Sequence, residues 1–154
     1  LSGGFISLAA TIASKRVFNA FLSNKKNREF MHGPTYMANP LACSAANASL
    51  DLFQNKNYES IVKEIEKSLK DQLKKFTSFN FVKEVRVKGA IGVIELFILT
   101  KKDIVWLRKN FIKNGVWLRP FGNIVYFTPP LLISKKDLKY LTQTTYQIFK
   151  SWKK

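Results

Sequence analysis

Apolar side chains recur at helical spacing in five stretches of this 154-residue chain and give way to short β-branched runs between them. Val17, Phe18, Phe21 and Leu22 mark an amphipathic helix that the pattern starts between Ser7 and Ala10 and ends near Asn24. Residues 41–53 are rich in alanine and free of helix breakers. Across 58–76, Ile61, Ile65, Leu69 and Leu73 stand four apart with charges between them, which predicts a long surface helix. Glu59 with Lys63, and Glu66 with Lys70, add i,i+4 pairs worth a few tenths of a kcal/mol each, about 0.2–0.5. Ile104, Leu107, Phe111 and Ile112 outline a fourth helix, and residues 135–152 a fifth. The runs at 81–87, 90–97, 116–118 and 123–127 read as strands.

End signals agree with this segmentation. Asn39 followed by Pro40 pairs an N-cap residue with proline at the first helical position. Thr100 with Asp103, and Ser134 with Asp137, form capping-box-like starts, and Gly115 stops the fourth helix. The break at 54–57 divides the chain into residues 1–56 and residues 57–154. Beyond it, strands interleaved with amphipathic helices give an α/β domain. Residues 1–12, small and apolar with a Gly-Gly pair, read as a loop with a buried turn or strand.

The stretch with the most chemistry is 31–43. Gly33 allows a backbone conformation closed to other residues, Pro34 stiffens the turn, and Thr35 presents a hydroxyl at its edge, a combination suited to an anion. At 117–121, Trp117, Pro120 and Phe121 form a stiff aromatic frame around Arg119, whose planar fork suits a carboxylate. His32 is the only histidine and has no catalytic partner to place beside it, so local hydrogen bonding is its expected role. Cys43 reads as a small core residue, Tyr126 as a pocket or core side chain, and Glu95 as a lone solvent-facing carboxylate.

Composition changes the picture once. A net charge of +16 raises a nucleic-acid or anionic-membrane partner. The lysines, however, are scattered over helix faces and the 150–154 tail among acidic residues, and no arginine-rich block alternates with aromatics, so a solvated basic surface is the expectation. One cysteine excludes an internal disulfide framework, and no paired metal ligands stand out. No apolar run reaches the roughly 18 residues of a membrane helix. The expectation is a cytoplasmic protein without nucleic acid, membrane or metal.

The run Met-His-Gly-Pro-Thr-Tyr-Met-Ala-Asn-Pro-Leu-Ala-Cys at 31–43 closely matches a motif of the class III, PLP-dependent aminotransferases. The blocks Gly-Val-Trp-Leu-Arg-Pro-Phe-Gly at 115–122 and Ile-Val-Tyr-Phe-Thr-Pro-Pro at 124–130 resemble the substrate segment of that family's biotin-pathway branch. The likeness covers residues 1–141, with the blocks in the family's order. It implies the carboxy-terminal part of a fold-type I, PLP-dependent α/β transferase: residues 1–56 end the large cofactor-binding domain, and 57–154 form the small domain. The implied cofactor is pyridoxal 5'-phosphate, held at its phosphate by Pro34 and Thr35 across a homodimer interface, with Gly33 against the amino acceptor. Arg119 is implied to grip the acceptor carboxylate, with Tyr126 lining that pocket. The implied substrates are S-adenosylmethionine and 8-amino-7-oxononanoate. The lysine that holds PLP and the aspartate that pairs with its ring nitrogen are expected before Leu1, so this segment alone should not transaminate. Three other readings stand beside it: another class III aminotransferase acting on ornithine or an ω-amino acid, a basic nucleic-acid-binding module, and a non-catalytic relic.

Overall fold

The computed structural model describes residues 1–152, so Lys153 and Lys154 of the basic tail lie outside the described residues. It resolves into two compact units, Leu1–Asn57 and one that begins at Tyr58. Each is built on different terms.

In the first unit, the helix α1 (Lys15–Phe21) is shorter than the apolar spacing predicts at both ends. Ser14 takes the N-cap position and accepts from the Val17 amide at 3.4 Å. Upstream, Thr11 makes no capping hydrogen bond among the described residues and none of residues 8–13 is buried, and a helix must repay its nucleation before it can extend. Residues 1–12 form a turn, not a strand; Ser2 is buried and its hydroxyl donates to the Ile6 carbonyl. The helix α2 (Pro40–Gln54) starts where the Asn39-Pro40 pair puts it, with Asn39 Oδ1 accepting from the Leu41 and Ala42 amides at 3.0 and 3.3 Å. Only Ser2, Ala42 and Ala46 are buried in this unit, and Cys43 is half-buried. Phe5 and Ile12 are 91% and 96% exposed.

The second unit owns the hydrophobic core. The long surface helix is α3 (Tyr58–Leu73), continued by a 3-10 turn over Lys74–Ser78. Both i,i+4 pairs form on it, at 2.5 Å for Lys63 with Glu59 and 2.6 Å for Lys70 with Glu66. Its apolar stripe, Ile65, Leu69 and Leu73, is buried against β1 (Val82–Lys88) and β2 (Ile91–Leu96). These strands pair antiparallel, and β3 (Ile124–Phe127) pairs antiparallel with β2, giving the order β1-β2-β3. Ile94, Leu96, Val125 and Phe127 face the helices and are buried. The helices α4 (Lys101–Lys113) and α5 (Lys135–Ser151) complete this layer. Thr100 and Asp103 make the full reciprocal capping box, and Ser134 Oγ accepts from the Asp137 amide at 3.0 Å. At the centre Phe76 meets Tyr146 and Phe149 edge-on, with centroids 5.3 and 5.4 Å apart.

On the opposite face of the sheet, Glu95 corrects the expectation of a lone carboxylate. Lys83 Nζ lies 2.6 Å from one of its oxygens and the Arg86 guanidinium holds the other, because the register sets Arg86 two pairs from Glu95 on the adjacent strand, a diagonal neighbour on the same face. The Lys83 hydrogen bond, then that of Arg86, holds the Glu95 carboxyl below its ordinary value of 4.5. A depressed folded-state pKa stabilises the fold above the unfolded value, and that contribution fades as pH falls through the folded one. Glu95→Gln is therefore expected to lower the urea midpoint at pH 7 and to match wild type once pH drops well below 4.5. Parallel pH profiles for the two proteins would refute this role.

Candidate functional site

The segment 116–121 is aimed by the end of α4. Asn114 caps that helix, and Gly115 follows at φ +69, a left-handed conformation that costs glycine little. The Gly115 amide donates to the Ile112 carbonyl and the Val116 amide to the Phe111 carbonyl, both at 3.0 Å, which is the Schellman arrangement. Val116 and Phe111, both buried, supply its apolar contact. The chain then runs extended with strict alternation: Val116, Leu118 and Pro120 are buried, while Trp117, Arg119 and Phe121 face outward.

Two expectations fail here for related reasons. Residues 116–118 are extended but form no strand, since the Val116 amide is spent on the helix cap and Pro120 has no amide to donate. Nor do Trp117 and Phe121 enclose Arg119; they are 75% and 73% exposed. Alternation puts all three side chains on one open face.

Beyond Pro120 the chain reverses. Phe121 and Ile124 exchange both backbone hydrogen bonds at 2.9 Å, and Asn123 latches the turn to the end of β2. Its carbonyl accepts from Leu96 at 2.8 Å and its Oδ1 from Leu99 at 3.1 Å. Sequence reasoning missed this latch, although Gly122-Asn123 is a recognisable turn pair. The reversal starts β3, and Tyr126 pairs across the ladder with Val93 on the sheet's outer face.

Arg119 and Tyr126 thus come together, and with Thr128 they line two adjoining cavities of about 440 and 530 Å3. The first is completed by Trp117, Pro129 and Leu141 among others, the second by Ile91, Val93 and Phe121. Neither Arg119 nor any other lining residue of these cavities has an acidic partner among the described residues. By contrast, Arg86, the next residue along the Tyr126-Val93 row, is satisfied by Glu95 and Glu84, which raise its pKa. The cavities therefore combine an uncompensated planar cation with apolar walls. That combination is chemically suited to a carboxylate carried on a hydrocarbon chain.

The Gly33-Pro34-Thr35 loop belongs to the first unit and lies in the open. Gly33 does not adopt a positive φ, and a Cβ built on it would meet nothing within 4 Å; the left-handed residue is Ala38 at φ +53. The turn is closed by the Met37 amide donating to the Pro34 carbonyl at 2.9 Å. Thr35 is left exposed, and among the described residues neither its amide nor its hydroxyl has a partner. The first amides of α2 are already taken by Asn39. An anion at this place would meet the loop donors rather than the helix end. His32 donates its amide to Phe30 at 2.8 Å and rests its ring 5.6 Å from that of Phe30.

A family model described as aminotransferase class-III matches residues 1–149. The adenosylmethionine-8-amino-7-oxononanoate aminotransferase of Buchnera aphidicola subsp. Schizaphis graminum is 44% identical over 141 residues, covering 92% of this chain and 32% of that protein. The crystal structure of the enzyme of the same name from Methanocaldococcus jannaschii superposes with a TM-score of 0.85 at 31% identity, over 97% of this chain and 36% of its own. An amine transaminase from an uncultivated Pseudomonas species, solved with PLP bound, gives 0.85 at 25% identity, with 97% and 36% covered. This chain spans about a third of the length of the relatives it matches, as their carboxy-terminal part. Helices layered on a small antiparallel sheet are the form that part takes in fold-type I, PLP-dependent aminotransferases. On the match across residues 1–149, the chain belongs to the class-III aminotransferase family.

Proposed function

We propose that this chain is the carboxy-terminal third of a homodimeric cytosolic aminotransferase that moves the amino group of S-adenosylmethionine onto 8-amino-7-oxononanoate, giving 7,8-diaminononanoate for biotin synthesis. The observation that carries the proposal is Arg119: an outward guanidinium with no acidic partner among the described residues, beside Tyr126, at the junction of two apolar-walled cavities. The acceptor is a carboxylate at the end of a hydrocarbon chain. Arg119 would take the carboxylate through its fork, Tyr126 would orient the acceptor from the facing strand, and the cavity walls would hold the chain away from water. Relatives that bear the name of this reaction support the substrate assignment.

Residues 1–56 are proposed as the end of the large domain and 57–154 as the small domain. The Thr35 amide and hydroxyl fit a phosphate group, since both are free donors on an exposed turn, and backbone and hydroxyl donors bind phosphate without a full positive charge. Pro34 and Thr35 would thus hold the phosphate of PLP bound mainly by the partner subunit, with Gly33 beside the acceptor. PLP, when bound, supplies the electron sink through which the amino group passes. None of the lysines of this chain is assigned its attachment.

In the full-length enzyme, Thr35→Ala removes one hydrogen bond to a charged group, so the Kd for PLP should rise about tenfold and Thr35→Ser should restore it. Absorbance titration of the apoenzyme measures both, and an unchanged Kd would remove Thr35 from the phosphate site. The reaction itself is tested by assaying the full-length enzyme with 8-amino-7-oxononanoate and S-adenosylmethionine, and separately with ornithine and with ω-amino acids. Transfer only in the latter assays would overturn the substrate assignment while leaving the family intact.

A further inference from the structure

We infer that Arg108 is a second cationic contact in the acceptor site, so that the carboxylate is held between two guanidinium groups instead of one. The inference rests on the reading of Arg119 as the carboxylate anchor. Arg108 lies on α4, one residue after buried Leu107, which turns it out of the core and towards the segment that follows the helix. Its Nη2 donates to the Pro120 carbonyl at 3.5 Å, a long contact that touches the backbone immediately after Arg119. A guanidinium has five N–H donors, so this contact leaves others to aim elsewhere.

Where they aim is set by the cavity. Arg108 and Arg119 line the same 530 Å3 cavity, whose other walls are Ile91, Val93, Phe121 and Ile124 with the Tyr126 and Thr128 side chains. No aspartate or glutamate lines it, and neither arginine forms an ion pair among the described residues. Elsewhere on the same sheet face the opposite rule holds, because Arg86 and Lys83 are neutralised by Glu84 and Glu95. Two uncompensated guanidinium groups lining one apolar cavity select an amphipathic monocarboxylate, whose anion would meet the arginines and whose chain would lie along Ile91, Val93 and Ile124. The contact to Pro120 gives Arg108 a second effect, since it ties α4 to the backbone that carries Arg119.

Heptanoate serves as the probe, with heptan-1-ol as its uncharged counterpart. In an NMR titration of the full-length enzyme at low salt, heptanoate should shift the side-chain Nε–Hε signals of both Arg108 and Arg119, and heptan-1-ol should not. Arg108→Met keeps the hydrocarbon stem and removes the charge; it should weaken heptanoate about fivefold and flatten the salt dependence of binding. Arg108→Lys, which keeps the charge but loses the fork, should recover most of the salt dependence. A tether without an anion role would change the urea midpoint of Arg108→Met and leave heptanoate affinity within twofold, which overturns the inference. If Arg119→Ala abolishes binding while Arg108→Met binds as wild type, the anchor stands and Arg108 is excluded. If Arg119→Ala binds as wild type, the anchor reading fails and this inference with it. No heptanoate shift in the wild-type enzyme overturns the inference, while transfer to 8-amino-7-oxononanoate by the full-length enzyme is scored separately.

Discussion

Replacing Arg119 with alanine in the full-length enzyme is expected to raise the KM for 8-amino-7-oxononanoate by about 10- to 100-fold, the range that follows from about 1.5–3 kcal/mol for hydrogen bonds to a charged group. The fold of the variant should be unchanged. The side chain points out of the core, makes no hydrogen bond or ion pair among the described residues, and sits on backbone held from both sides by the Gly115 helix stop and the Asn123 latch. Arg119→Lys keeps the charge and loses the paired donors, so its KM should fall between the two. Steady-state kinetics with the acceptor varied decides the matter, and a KM within twofold of wild type in Arg119→Ala would remove this residue from the acceptor site. Part of the loss can fall on kcat, because binding energy from a remote carboxylate can be used to orient the reacting end.

The largest effect on stability is expected at Phe76. This side chain is fully buried where the 3-10 turn meets α5, edge-on to Tyr146 and Phe149 and 6.2 Å from Phe79. Truncating such a ring to alanine costs about 3–5 kcal/mol, from lost transfer energy together with the cavity left behind. A domain of this size is stable by only about 5–15 kcal/mol, so Phe76→Ala should lower the urea midpoint severely or prevent folding. Phe5→Ala in the same chain is the contrast: at 91% exposure it should change stability by no more than about 0.5 kcal/mol. Equal effects at the two phenylalanines would mean that the core is not where the structure puts it.

These two phenylalanines also mark what a linear reading can and cannot reach. Phe76 follows Leu73 by three residues and so continues the apolar stripe of the 58–76 helix, whereas Phe5 stands in a short small-and-apolar stretch, and neither setting by itself says how deeply the ring is buried. Phe76 is buried because α3, the sheet and α5 converge on it from positions up to seventy-odd residues away. The same limit explains α1. Its apolar spacing is helical from well before Ser14, but without a buried partner the spacing confers no stability, and the helix covers only Lys15–Phe21.

Arg119 is legible as a candidate from its neighbours, but its setting is open and not enclosed. Trp117 and Phe121 each stand two residues from Arg119, and in an extended chain residues two apart share a face instead of enclosing one another. Arg108 carried no sequence signal at all. It reaches the cavity only because the Schellman stop folds the chain back past the helix that bears it. Glu95 looked alone for a similar reason, since its partners stand on a neighbouring strand in a register that the strand sequence does not announce.

The elements whose ends are written in local chemistry came from the sequence alone: Asn39-Pro40 opening α2, Thr100 with Asp103 opening α4, Gly115 closing it, and Ser134 with Asp137 opening α5. Each is a backbone donor or acceptor satisfied within a few residues, so the sequence contains both partners. The family motif at 31–43 was legible in the same way. What only the tertiary structure decided are the relations between distant segments: which phenylalanines form the core, which cations keep an acidic partner, and which side chains share the cavity with Arg119. Those depend on strand register and on the path of the chain after α4, and both are settled by packing over the whole second unit.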